Sequence, residues 1–87
     1  MNYVLIRHKV ADFTKWKTIF DAHRGVRQEA GLKERYLLRG VENLNEVVIL
    51  LEAEDLQKAR AFMDSADLRE VMKKAGVLGK PDVYFLQ

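Results

Sequence analysis

Apolar positions recur along the chain with two periods, and the switches between the periods mark the elements. Tyr3 to Val10 is rich in Val and Ile, holds no Gly or Pro, and reads as a strand. Asp12 suits a helix N-cap. After it Phe13, Trp16, Ile19, Phe20, His23, Val26 and Ala30 recur at helical spacing, with Lys15, Lys17, Asp21, Arg24 and Gln28 opposite. The spacing predicts one amphipathic helix of about five turns, closed by Gly31. Gly25 inside it costs ~1 kcal/mol against Ala and is expected to permit a close backbone approach.

Lys33 to Val41 and Glu46 to Ala53 read as strands joined by the turn Glu42 to Asn45, a hairpin. Asp55 caps a second helix with Leu56, Ala59, Phe62 and Met63 inward. Ser65 caps a third, with Leu68, Val71, Met72 and Ala75 as its stripe. There Asp67 lies in the first turn and Lys73 and Lys74 in the last, matching the helix dipole, and Glu70 and Lys74 are spaced for an ion pair. Gly76, Gly79 and Pro81 end this helix, and Asp82 to Gln87 is the last strand. The order β-α-β-β-α-α-β closes most simply as a ferredoxin-like α+β fold, a four-stranded antiparallel sheet with its helices on one face.

That arrangement leaves one sheet face bare. A face meeting water should alternate apolar and polar, and these strands do not. Val47, Val48, Ile49, Leu50 and Leu51 send apolar groups both ways. Tyr3 and Leu5 oppose Val4, Ile6 and Val10, and Tyr84 and Leu86 oppose Val83 and Phe85. A contiguous apolar face of this kind marks an interface, so a homodimer packing sheet on sheet is expected in preference to a face partly covered by the chain's own termini.

Composition narrows the class. Eighty-seven residues make one expected domain, 1–87, too short for two cores. With 48% hydrophobic and 32% charged residues the chain is too apolar for disorder. It has no cysteine, which excludes thiolate chemistry and fits a reducing compartment. The longest apolar run, Val47 to Leu51, is far short of the ~20 residues of a membrane helix, so a cytoplasmic address and no membrane partner are expected. The net charge of +2 arises from Lys and Arg spread along the chain among acids, a weak basis for nucleic-acid binding.

Two histidines carry most of the candidate chemistry. His8 shares parity with Val4, Ile6 and Val10 and should face the helices. His23 lies on the Trp16–Phe20 stripe, so both point into the space between the first strand and first helix. Rise per residue puts His8 level with Trp16 and His23 roughly 10 Å deeper. No carboxylate falls at ligand spacing from either, and no metal is expected. Each imidazole reads either as a core group hydrogen-bonded within the fold or as the acid–base group of a pocket. His8 in particular interrupts an aliphatic strand face. Trp16 and Phe20 serve the core or line that pocket. Tyr36 presents its hydroxyl to the pocket or to the dimer face. Arg7, Arg35 and Arg39 mark sheet edges or the interface rim, and Arg24 and Arg27 a solvated face. Without a phosphate loop, dinucleotide fingerprint, nucleophile elbow or paired carboxylates, no cofactor is expected, and chemistry rests on a shaped apolar pocket and one or two acid–base groups.

Val10-Ala11-Asp12-Phe13 with Trp16, Phe20, Asp21 and His23 resembles the start of the dimeric α+β barrel proteins, in particular the antibiotic biosynthesis monooxygenase-like or "cyclase" group. Gly31, Arg39, Asn45 and Val47-Val48 resemble that group's hairpin. Asp67-Leu68-Arg69-Glu70 through Asp82-Val83-Tyr84-Phe85 resembles its closing segment, so the likeness spans nearly the whole chain. The resemblance implies a dimer whose sheets pack face to face, with a pocket between sheet and helices in each protomer. Members oxidise aromatic polyketides without metal or flavin, cyclise polyketides with a histidine, or degrade haem. By resemblance His8 stands where a cyclase-like base sits. The haem-degrading group uses an Asn, a Trp and a His. Trp16 and His23 are present, but no Asn beyond Asn2 lies in the first strand or helix, which speaks against haem degradation. Ala53 stands where many relatives carry a large aromatic, which implies a wider pocket or one filled by Phe62 and Trp16.

The expected function is therefore a cofactor-independent monooxygenase or cyclase-like enzyme acting on a small aromatic or polyketide-like molecule in a pocket between sheet and helices. Its expected catalytic groups are His8 and His23, and its ligand contacts Trp16, Phe20, Tyr36 and Phe62. The alternative is a small-ligand-binding or regulatory dimer without catalysis. RNA recognition on the same topology needs exposed aromatics on the central strands, and the third strand is aliphatic throughout.

Overall fold

A computed structural model describes residues 1–87. Its elements are β1 (Asn2–Val10), α1 (Phe13–Ala22), α2 (Arg24–Glu29), β2 (Leu32–Arg39), β3 (Glu46–Ala53), α3 (Leu56–Met63), α4 (Ala66–Lys74) and β4 (Val77–Leu86). The four strands form one antiparallel sheet in the order β2-β3-β1-β4, so the two central strands are those with the most continuous apolar sequence. This is the ferredoxin-like α+β arrangement expected from the element order. No helix is long and apolar enough to cross a membrane.

Local chemistry places the helix starts where the sequence signals them. The side chains of Asp12, Asp55 and Ser65 accept from the backbone N–H groups of Lys15, of Gln57 and Lys58, and of Leu68, satisfying donors that the first helical turn leaves free. Gly31 and Gly76 end helices at φ +76° and +78°, a conformation that side chains with a Cβ rarely adopt. The core lies between the sheet and the helices. Val4, Ile6 and Val10 of β1, Val47, Ile49, Leu51 and Ala53 of β3, Leu32, Trp16, Ala59 and Ala75 are all buried.

Four expectations are corrected. The first helix is two. It breaks at His23 (φ −90°, ψ 5°), yet Trp16, Phe20, His23 and Arg27 keep one inward face across the break. Val26, expected inside, is 45% exposed, and Arg27, expected in solvent, is 4% exposed. Gly25 meets no neighbour that a Cβ would touch, so it permits no close approach and instead weakens the helix just after the break. The last strand begins at Val77, because Val77 and Leu78 pair with Val10 and Lys9 directly after the Gly76 turn. Gly79 and Pro81 are tolerated there because β4 is an edge strand with an irregular register opposite Arg7 to Lys9. Glu70 and Lys74 form no ion pair, whereas Lys17 and Asp21 do, at 2.6 Å.

The face away from the helices carries a cross-strand row of Tyr36, Leu50, Leu5 and Tyr84, one residue from each strand. Leu38 and Val48 lie beside it, as does the Arg7–Asp82 ion pair at 3.1 Å. Tyr36 is 62% and Tyr84 51% exposed. The other face of the same strands buries Val4, Ile6, Ile49 and Leu51, so the sheet is apolar on both sides.

Candidate functional site

A cavity of about 60 Å³ lies between the sheet and the helices. β1 supplies Ile6 and His8, β3 Ile49 and Leu51, and α1 Trp16, Ile19 and Phe20. His23 and Arg27 follow from the break and α2. Phe62 and Met63 of α3, and Leu68, Val71, Met72 and Ala75 at α4, close the opposite wall. Strand period 2 and helix period 3.6 bring these residues to one place, since both elements turn their apolar stripe toward the same layer.

The structure thus gathers His8, Trp16, Phe20, His23 and Phe62 around one cavity and leaves Tyr36 out. A register shift between Glu34 and Tyr36 reverses the alternation of β2. Leu32 and Leu37 then face the helices while Tyr36 falls on the bare face, opposite Leu50, so it cannot contact a ligand in the cavity. No cluster of three side chains able to ligate a metal occurs.

His8 is the polar centre of the cavity. It is buried, and neither Nδ1 nor Nε2 has a hydrogen-bond partner. The Trp16 ring meets it edge-on with centroids 5.4 Å apart, and Phe20 stacks on Trp16 at 4.7 Å. Burial without a charged partner pushes the imidazole pKa down from 6.5 to about 4, so the ring is neutral at physiological pH. His23, half-buried against Phe62 at 6.0 Å, is also held below its ordinary value, first by burial and then by the charge of Arg27.

The depressed pKa of His8 has a consequence for stability. Between pH 6.5 and about 4 the unfolded chain takes up a proton that the folded imidazole refuses. Stability is therefore complete above pH 6.5 and lost as pH falls toward 4, by at most on the order of 3 kcal/mol from this group. Urea unfolding at pH 7, 6, 5 and 4 should show that slope, and His8→Phe should flatten it relative to wild type. Parallel curves for the two proteins would contradict the burial of the ring.

Arg27 is the cavity-lining residue that sequence reasoning missed. Its Nη1 donates to the carbonyl of Phe20 at 2.7 Å, which caps the end of α1, and its Nη2 pairs with Glu34. The guanidinium stacks on the Phe20 ring at 3.6 Å, and its buried Nε has no partner. Burial pushes the Glu34 carboxyl up, but the hydrogen bonds and charges of Arg27 and Arg24 outweigh this and hold it below its ordinary value. A signal was present in the sequence: Arg27 is four residues after His23 and seven after Phe20, the spacing of one helix face. Arg27→Ala removes the buried partner of Glu34 and one of two donors to the Phe20 carbonyl, and is expected to cost about 2–3 kcal/mol, less than a fully buried pair because Glu34 keeps Arg24 and solvent contact. Thermal unfolding should fall by about 10–20 °C. Arg24→Ala, at an exposed pair, should move it by only a few degrees.

No family model matches the chain, and no curated protein matches it in sequence. Solved structures do match its fold. A protein of Bordetella bronchiseptica, provisionally named an antibiotic biosynthesis monooxygenase, superposes with a TM-score of 0.79 at 18% identity over 99% of this chain and 94% of that one. A variant of SnoaB, a cofactor-independent oxygenase from Streptomyces nogalater, gives 0.74 at 13% identity over 99% and 90%. A Caulobacter crescentus protein with the same provisional name gives 0.71 at 16% over 98% and 86%. The fold is thus that of the antibiotic biosynthesis monooxygenase-like proteins, as the sequence resemblance implied.

Proposed function

We propose that the protein is a homodimeric enzyme that takes a proton from a small aromatic molecule held against His8. The deprotonated molecule is then oxidised by dioxygen, as a cofactor-independent monooxygenase would do. The observation that carries the reading is the His8 imidazole: buried, neutral and without a partner for either nitrogen, in the wall of a cavity that Trp16, Phe20 and Phe62 also line. The SnoaB neighbour, a cofactor-independent oxygenase, supports the reaction class.

For a CH₂ flanked by aromatic or carbonyl groups the steps balance as follows. His8 accepts one proton and the carbon keeps the electron pair. That carbanion reduces dioxygen by two electrons as the C–O bond forms. The resulting peroxide takes the proton back from His8. Loss of water then breaks the O–O bond, removes the second hydrogen from carbon and leaves a carbonyl. A pKa near 4 makes His8 a weak base in the empty cavity, but an anion formed beside the imidazolium stabilises it and raises its basicity in the complex.

The same carbanion attacking a carbonyl of its own chain would give a cyclase-like product. A second reading is ligand binding without chemistry; the cavity of about 60 Å³ is smaller than the ~150 Å³ cavity that takes up benzene, so either reading requires its wall to move. The test is incubation with phenols and anthrone-like ketones under ¹⁸O₂, followed by mass spectrometry. One ¹⁸O per product supports the oxygenase, and a product without ¹⁸O the cyclase. Thermal stabilisation with no product would leave only the binder.

A further inference from the structure

Outside the His8 cavity the largest concavity is an open groove of about 530 Å³ between the α3–α4 corner and β4. Its floor is apolar, with Val77, Val83 and Phe85 of β4. Its rim carries Arg69, Lys73 and Lys80 against the single carboxylate of Asp64. None of the three cations pairs with an acid in the fold. Arg69 and Lys73 are four residues apart on α4, a like-charge spacing that costs helix stability unless an anion lies across it.

Two side chains, Met63 and Met72, line both this groove and the His8 cavity. Each space is therefore one methionine layer from the other. Methionine is unbranched and moves between rotamers at little cost, so a wall of two methionines yields to a ligand where Leu or Val would not. Two further clefts reach the cavity wall at Arg27 and at His8, but by one residue each, and each has a single hydrophobic lining residue.

We propose that Met63 and Met72 form a displaceable partition. Groove and cavity together then take a small aromatic molecule bearing an acidic group, with its ring against Trp16 and His8 and its anion on Arg69, Lys73 and Lys80. This rests on the cavity being the ligand site, and adds the ligand class and the way in. The cavity of about 60 Å³ then describes the state before the methionines move.

The test uses three probes with one ring system: 1-naphthoate, 1-naphthyl phosphate and neutral 1-naphthalenemethanol. Trp16 is the chain's only tryptophan, so its fluorescence reports entry of the ring. The His8 ring resonances report the same event independently. The anions are expected to quench Trp16, to shift His8, and to bind about tenfold tighter than the neutral probe at low salt. Whichever anion binds tighter fixes carboxylate or phosphate as the preferred group. The triple variant R69Q/K73Q/K80Q changes only exposed, unpaired side chains and should abolish the preference while leaving the neutral probe's Kd unchanged. Equal binding of all three probes to wild type, or anion binding that leaves Trp16 and His8 unperturbed, would overturn the proposal. Binding as described with no turnover of any substrate defeats the enzyme reading and leaves this one standing. Turnover of neutral substrates with no preference for anions does the reverse.

Discussion

Replacing His8 by Phe is expected to lower turnover by about 10²- to 10⁴-fold, the usual contribution of a positioned acid–base group, while leaving the protein folded. Phe keeps an aromatic ring beside Trp16 and removes both nitrogens, so the packing survives and the proton acceptor does not. The substitution also removes two buried polar atoms that have no partner in the fold, so stability at pH 7 should hold or rise. A pH profile distinguishes this role from a structural one. kcat/KM reports the free protein, in which burial holds His8 near pKa 4. Its acid limb should therefore lie well below pH 6, and the profile should be flat across neutrality. An acid limb at 6.5 would assign the reaction to a solvated histidine, and His23→Phe would then be the damaging change. Unchanged turnover in His8→Phe would remove His8 from the mechanism altogether.

Leu50→Asp is expected to convert a dimer of about twice 10.1 kDa into a monomer. Leu50 sits in the row Tyr36–Leu50–Leu5–Tyr84 on the bare sheet face, facing away from the helices and the core. In a twofold dimer a carboxylate there is buried once per protomer, and the Arg7 guanidinium two positions along the same face is already paired with Asp82. Breaking charge balance in this way costs several kcal/mol, enough to weaken association by about 10³-fold or more. Light scattering at micromolar concentration measures the mass, and circular dichroism checks that the protomer remains folded. Arg7→Ala, beside the row at an exposed ion pair, should leave the dimer intact. Wild-type protein scattering as a 10.1 kDa particle would defeat the dimer, and so would a Leu50→Asp variant that still dimerises.

The candidate site was partly legible in the sequence. His8 was placed on the helix-facing side of β1 by parity with Val4, Ile6 and Val10, and no bulge intervenes between those residues and their β3 partners. Trp16, Phe20 and Phe62 followed from helical spacing, which depends only on backbone geometry. Tyr36 was not legible, because the register shift at Glu34 to Tyr36 is a property of how β2 pairs with β3. Arg27 was misread for a different reason: its spacing from Trp16, Phe20 and His23 puts it on the inward face, but an arginine is assigned to solvent unless a buried partner is known. The Arg27 guanidinium then caps α1 at the Phe20 carbonyl and finds Glu34 across the fold, a compensation available only once β2 is in place.

The sequence by itself determined the alternation of strands and helices, the caps of α1, α3 and α4, the apolar character of both sheet faces and the side of β1 on which His8 lies. Each of these depends on residues within a turn or two of one another, through backbone hydrogen bonds and side-chain period. Tertiary structure decided where alternation slips, which charged side chain is buried, where β4 begins, and that Met63 and Met72 stand between the two concavities. Those outcomes depend on pairing between segments far apart in the chain, where the burial of one group is affordable only because another, distant in sequence, meets it.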